Sequence, residues 1–204
     1  MLLATLTVVV ELFTSEGCSS CPPADAVLGR LQQTQPVPGV EILTLGEHVD
    51  YWNSEDFRDP FSAQIFTERQ SRYGSRLYTP QAVVQGRTDV LGSDEEGLKA
   101  AIRRAIAQKQ GTIQLARDRD AIRIQVEGAE GEVVLAIVED GLVSEVKRGE
   151  NAGRTLRHES VVRSLRKVKP GTVPLLLDPS WKKPRAVVFV QGKDGIQAAA
   201  GLGL

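Results

Sequence analysis

The chain's two cysteines stand three residues apart, in Gly17-Cys18-Ser19-Ser20-Cys21-Pro22. An apolar strand pattern ends just before them and a helical pattern begins just after. A cysteine at a helix N-terminus meets the positive end of the macrodipole and unpaired backbone N–H groups. Both favour the thiolate, which is the nucleophile and the metal ligand. A second thiol one turn away resolves a mixed disulfide, so the pair reads as a thiol–disulfide site, with Cys18 attacking and Cys21 resolving. It equally reads as half of a metal site. No basic residue adjoins the pair, and Glu16, two residues before Cys18, works against a thiolate.

Other residues add chemistry around this pair. Glu11 lies inside an apolar run, where a carboxylate relays protons if it faces the thiols. Glu16 reads as a solvent-facing loop charge. His48, Asp50, Tyr51 and Trp52 follow a second predicted strand, at the sheet edge where α/β sites form. His48 is therefore a candidate base for Cys18. It is also the third member of a zinc or Cu(I) set with Cys18, Cys21 and, as a fourth ligand, Asp50. The plainer reading is that His48 and Asp50 make local hydrogen bonds while Tyr51 and Trp52 pack an inserted helix. Arg148 to Leu156 reads as a tight turn. The basic run Arg163, Arg166, Lys167 and Lys169 reads as a solvated face, and His158 alone makes no case for a ligand.

These residues need elements to position them. Thr5 to Phe13 is a buried strand, rich in β-branched residues. Pro22 and Pro23 suit the first turn of a helix, where a missing N–H costs nothing, and Val27, Leu28 and Leu31 form its stripe. Val40 to Gly46 is the next strand, so the first two strands run parallel across a helical crossover. Asp59-Pro60 reads as the N-cap and N1 of a second helix through Tyr73 and Leu77. Gln81 to Gln85 and Thr88 to Leu91 form a hairpin. A capping box at Ser93 to Glu96 opens a helix running to about Lys109. Beyond Gly111 short alternating segments dominate: 112–116, 121–126, 132–138, 142–146, 173–177 and 186–190. Arg154 to Val168 leans to strand. Turn signals between them point to a β-sandwich or barrel.

Composition bounds the function. The 204 residues suit two small domains, and the content of 41% hydrophobic and 25% charged residues is that of a globular protein. A net charge of −1 gives no electrostatic case for nucleic acid or an anionic membrane. No apolar run reaches the roughly 20 residues of a membrane span. Two cysteines exclude a disulfide-stapled scaffold. Met1 to Thr7 lacks the basic and apolar regions of a signal peptide, which leaves the compartment open, a cytoplasmic one included. No motif calls for a cofactor.

The order strand, CxxC helix, strand, helix, strand, strand, helix resembles the thioredoxin superfamily, and Val10 to Thr14 before the cysteines is similar to a glutaredoxin opening. A closer resemblance covers nearly the whole chain. Glu11 to Asp25, His48 to Trp52, Tyr78-Thr79-Pro80-Gln81 and Arg148 to Leu156 resemble the bacterial "domain of unknown function 1223" family. The resemblance implies an α/β thioredoxin-like N-terminal domain over 1–110, and an all-β, sandwich or jelly-roll-like C-terminal domain over 111–204. It implies a cis Thr79–Pro80 bond facing the cysteines, with Pro80 in the catalytic set and Tyr78 and Thr79 binding substrate. It also implies a periplasmic or secreted protein. Gly17 stands where thioredoxins carry an aromatic residue, and Val49 to Leu77 is an insertion beside the active edge, suited to gate access. The expected function is thiol–disulfide oxidoreduction on a protein or small-molecule thiol. The alternatives are metal binding or delivery through Cys18, Cys21 and His48, and non-catalytic interaction on an inherited platform. Oligomeric state is not readable.

Overall fold

The computed structural model describes residues 6–74, 76–107 and 110–204. The elements in chain order are β1 (Leu6–Thr14), α1 (Pro22–Thr34), β2 (Val40–His48), α2 (Gln64–Ser71), β3 (Gln81–Val84), β4 (Thr88–Leu91) and α3 (Glu95–Ala105). Then follow β5 (Thr112–Asp118), β6 (Ala121–Glu127), β7 (Glu132–Glu139), β8 (Leu142–Glu145), β9 (Thr155–His158) and β10 (Val161–Val168). The chain ends with β11 (Gly171–Pro174), β12 (Pro184–Gly192) and β13 (Gly195–Gly203). The starting point read for the first strand, Thr5, and the helix end read near Lys109 lie outside the described residues.

One mixed sheet of eight strands carries the molecule, in the order β13-β12-β7-β10-β2-β1-β3-β4. β1 and β2 pair in parallel, as the helical crossover requires. β10 then joins the free edge of β2 in parallel at Val161 and Gly46, and Gly46 N–H donates to the Ser160 carbonyl at 2.7 Å. This corrects the expected architecture. The protein is mostly β, and a large mixed sheet runs through both halves. It is not an α/β thioredoxin-like domain followed by a separate β-sandwich or jelly roll. The physical reason lies in β7 and β12: Val133 to Val138 and Ala186 to Val190 are apolar and buried without alternation. Strands buried on both faces belong in the middle of a covered sheet.

Three layers of packing follow. α1 and α3 cover β1 to β4 through Val8, Val10, Leu12, Leu28, Leu31 and Ile102. The alternate residues of β1 and β2, Val9, Leu43 and Leu45, meet Phe66 of α2 and Val134, Val187 and Phe189 of the second half. The sheet β11-β6-β5 closes the other face of β7 and β12 over Leu135, Ile137 and Val188. The β3–β4 turn is tied to the far end of the sheet. Ile196 N–H donates to the Gln85 carbonyl at 2.9 Å, and the Gln85 side chain bridges Val9 N–H and the Ile196 carbonyl. Few helices are present, and none among the described residues is long and apolar enough to cross a membrane.

Candidate functional site

Cys18 and Cys21 form a disulfide where the β1–α1 loop enters the helix. Cys21 is the N-cap of α1 and already has helical backbone angles, with Pro22 and Pro23 next. The first turn is fully committed. The two prolines have no N–H, and the N–H groups of Ala24 and Asp25 both donate to the Cys21 carbonyl, at 2.8 and 3.1 Å. A thiolate here would feel the dipole but meet no free N–H of the first helical turn; Ser20 Oγ lies 3.4 Å from Cys18 Sγ. Both sulfurs are covered: Cys18 is 1% exposed and Cys21 0%, while Ser19 and Ser20 face solvent.

Beneath the loop lies a buried charge cluster that local sequence did not announce. Glu16, read above as a solvent charge, is 3% exposed. Its backbone N–H donates to Asp59 Oδ2 at 2.8 Å. Its Oε1 accepts from Ser144 Oγ and lies 3.1 Å from His158 Nε2. The other ring nitrogen of His158, Nδ1, is buried without a hydrogen-bond partner and points its charge at Asp25 Oδ2, 3.7 Å away. Burial alone would lower the His158 pKa, but Asp25 and Glu16 outweigh it and raise it to about 9. His48 sits against His158, ring centroids 5.0 Å apart, and its Nδ1 contacts Asp59 Oδ2 at 2.8 Å. Burial would raise the Asp59 carboxyl. The charge and hydrogen bond of His48, with the N–H groups of Glu16 and Phe61, reverse this and hold it below its ordinary value. Asp59 therefore does not start a helix, as its Asp-Pro context suggested. α2 begins five residues later, with Ala63 as N-cap.

Two segments cover the disulfide. The first is the stretch 148–154 between β8 and β9, read above as a plain turn. Asn151, fully buried, donates from Nδ2 to the carbonyls of both Glu16 and Cys18, each at 2.9 Å. Glu150 accepts from Ser19 N–H at 3.0 Å. The second is the inserted stretch after β2. A Cβ on Gly17 would lie 2.9 Å from the Phe57 ring and 3.1 Å from Trp52 Cβ, so the aromatic cover comes from elsewhere in the chain and position 17 must be small. The Phe57 ring also packs on Gly149, joining the two covers. Between them a cleft of about 270 Å³, lined by Phe57, Arg58, Lys147 and Arg148 among others, reaches Glu16.

The remaining predicted residues separate into near and far. The Thr79–Pro80 peptide is cis. A Cβ on Gly92 would strike Leu12, Ala24 and Pro80, which places Pro80 beside the first turn of α1. Trp52 Nε1 donates to Thr79 Oγ1 at 2.8 Å, joining the insertion to that same edge. Tyr78 is turned to Asp89, to which its hydroxyl donates. Asp50 is bound to Thr67 of α2, not to the cysteines. Glu11 lies on the opposite face of β1, fully buried, with Arg69 Nε and the Tyr73 hydroxyl donating to its carboxylate. Glu47, also fully buried, stands beside the same arginine at 3.5 Å, and its carboxyl oxygens have no hydrogen-bond partner. Burial first, and then the Glu11 charge, push Glu47 well above the ordinary carboxyl range. Among the described residues no group of three or more His, Cys, Asp or Glu side chains is arranged to hold a metal ion.

A family model described as "Protein of unknown function (DUF1223)" matches residues 9–191. The chain belongs to the DUF1223 family. A crystal structure of a protein from Agrobacterium tumefaciens superposes with a TM-score of 0.75 at 27% identity, covering 98% of this chain and 95% of that one. HBP35 of Porphyromonas gingivalis superposes with a TM-score of 0.67 at 14% identity, covering 98% of this chain and 76% of that one, a likeness of fold alone. No curated protein matches. For this DUF1223 protein the match takes in the cysteine loop, the insertion, and the covering stretch 148–154.

Proposed function

We propose that Cys18 and Cys21 form a redox-active dithiol/disulfide that exchanges with a small-molecule or protein thiol. The observation that carries this reading is the disulfide itself, closed across the entry to α1 directly above a buried imidazole–carboxylate cluster. A cross-link spanning three residues constrains little of the unfolded chain, so stabilisation is a weak reason for it. Its cover consists of side chains on loops, which open more readily than core elements.

The surroundings also set a direction. The first turn of α1 offers a thiolate no free N–H, and Asp25 and Glu16 place two carboxylates near one imidazole. The reduced form gains little anionic stabilisation. A strong oxidant such as DsbA works because its reduced form is stabilised, at about −120 mV, whereas thioredoxin lies at about −270 mV. The couple is expected at or below about −270 mV. Equilibration of the protein with glutathione and dithiothreitol redox buffers, read by thiol alkylation and mass, measures it. A disulfide that reduces only when the whole protein unfolds, or a Cys21→Ser variant whose Cys18 captures no thiol partner, removes the reading.

A further inference from the structure

The disulfide takes up protons as it is reduced, and it is sealed from solvent. The residues able to supply them are few. Glu11 is excluded by its place on the other face of β1, bound to Arg69. His48 is committed to Asp59. Asp25 is placed differently. It follows Cys21 by four residues on one helix, so the two share a face, with Cβ atoms about 5–6 Å apart. Side chains on a helix lean toward its N-terminus, which tips Asp25 back toward Cys21. Behind it stands the unpaired, buried Nδ1 of His158, and Glu16 holds the other end of that ring.

We propose that Asp25, His158 and Glu16 form the proton relay of the disulfide, with Asp25 passing a proton between His158 Nδ1 and Cys21 Sγ. The proposal rests on the redox reading above. An external low-molecular-weight thiolate attacks Cys18 Sγ. The new S–S bond forms as the Cys18–Cys21 bond breaks, and Cys21 leaves with the electron pair. The Nδ1 proton crosses by way of Asp25 to Cys21, leaving His158 neutral. A second thiolate attacks the outer sulfur of the mixed disulfide and releases Cys18, which takes a proton ultimately drawn from solvent. Two external thiols become one disulfide, and two electrons and two protons enter the protein. The cleft between Phe57 and Lys147 reaches Glu16, giving the cluster a route to recover its proton.

The geometry favours this triad over a static ion cluster. A fully paired imidazolium would hold both N–H groups in short hydrogen bonds. Here only Nε2 is so held, and the 3.7 Å gap at Nδ1 leaves that proton attracted but not bonded. The groups facing His158 are Glu16 from the β1–α1 loop, Asp25 from α1, and His48 from β2 with Asp59 behind it. Because His158 remains protonated to about pH 9, the relay is loaded at neutral pH.

The test is the titration of the Cys21 thiol in a Cys18→Ser variant, followed by thiolate absorbance, with and without Asp25→Asn. With Asp25 present, a carboxyl group one helical turn from Cys21 favours the thiol form. Asp25→Asn is expected to lower the midpoint by one pH unit or more, a tenfold or greater change in thiolate fraction. An unchanged midpoint overturns the proposal. If the variant does not fold, the imidazole ¹⁵N shifts of His158 in the unmodified protein decide, compared between its oxidised and glutathione-reduced forms. A changed titration midpoint of His158 supports the relay and an identical one overturns it. Exchange of the unmodified protein with reduced glutathione is measured in the same series. Absence of exchange there defeats the redox reading itself, whereas exchange with no Asp25 or His158 effect defeats the relay alone.

Discussion

Two buried charge clusters lie back to back across β1 and β2, and each sets two carboxyl groups against one cation. On the α1 face Glu16 and Asp25 hold His158. On the α2 face Glu11 and Glu47 flank Arg69. The difference is where the mobile proton sits. A guanidinium never gives up its proton, so on the α2 face the excess negative charge is relieved at a carboxyl, where burial and the Glu11 charge favour the neutral form of Glu47. An imidazolium can give up its proton, so on the α1 face the labile proton rides on the cation, whose pKa Asp25 and Glu16 raise to about 9. A proton on Glu47 is locked behind β1. A proton on His158 faces the disulfide loop. One cluster fastens the sheet to α2, and the other is the one we propose for proton transfer.

Breaking the fastening cluster should have the largest effect on stability. Arg69→Ala leaves the Glu11 carboxylate buried without its cation, and loss of one partner of a buried pair costs about 3–5 kcal/mol. Urea denaturation of the oxidised protein measures it. The contrast requires that the folded fraction keep its rate of disulfide exchange. A loss below about 1 kcal/mol would mean that water reaches Glu11.

The chemical cluster should instead be visible in pH. The His158 pKa in the folded protein, about 9, lies above the roughly 6.5 of a free imidazole. The stability this provides is fully present below about pH 6.5 and is lost as pH rises through about 9. A 2.5-unit shift corresponds to at most about 3.4 kcal/mol. Melting temperature against pH should therefore fall across that window, and the fall should be clearly smaller in His158→Gln, where only the contribution of Glu47 is left. An undiminished fall in that variant would assign it to another group.

The cover over the disulfide comes next in size. Asn151→Ala removes two hydrogen bonds from buried carbonyls, a loss of about 1–3 kcal/mol. If the segment opens for exchange, much of that loss appears as faster attack. Each 1.4 kcal/mol of lost closure is about tenfold in the open population. Reduction by glutathione should accelerate by roughly that factor, while Arg69→Ala leaves it unchanged. Equal rates for Asn151→Ala and wild type would show that the disulfide is reached by another path.

What was legible in the sequence follows the range of the interactions. The strand, the cysteine pair and the proline-marked helix start are set by neighbours a few residues apart, and they stand where their pattern placed them. The parallel pairing of β1 with β2 follows from one crossover helix. The charge cluster was not legible, because Glu16 meets His158 and Asn151 across 142 and 135 residues. No local periodicity links them, so Glu16 looked like a loop charge and His158 like an isolated residue. Asp59 misled for a related reason: its Asp-Pro context is a good cap, but the buried N–H of Glu16 and the ring of His48 claim the carboxylate instead. The join between the two halves left one overlooked signal, the unbroken apolar run from Val133 to Val138. A strand half-exposed on a sandwich alternates. This one does not, and β13, rich in Gly and Ala, gave no strand pattern at all.

The smallest expected effect is the sharpest test of how the two clusters differ. Glu11 and Glu47 share one arginine, yet they should respond oppositely to the same change. Glu11 is the ion-pair partner, so Glu11→Gln leaves Arg69 uncompensated and destabilises strongly. Burial and the Glu11 charge favour the protonated form of Glu47, so Glu47→Gln, which puts a neutral group of the same shape there, should move stability at pH 5 by less than about 1 kcal/mol. The sign of the pH dependence also separates them. In the unfolded chain Glu47 ionises near its ordinary pKa of about 4.3, while in the folded protein it keeps its proton to higher pH. The folded state then binds more protons, and wild-type stability falls as pH rises above that value. Glu47→Gln should remove this fall, making the variant no less stable than wild type at pH 7 and 8. Denaturation curves of the two variants at pH 5 and pH 8 read this directly. If Glu47→Gln loses stability on rising pH as wild type does, the labile proton of the α2 face is not on Glu47. The two clusters would then differ only in the identity of their cation.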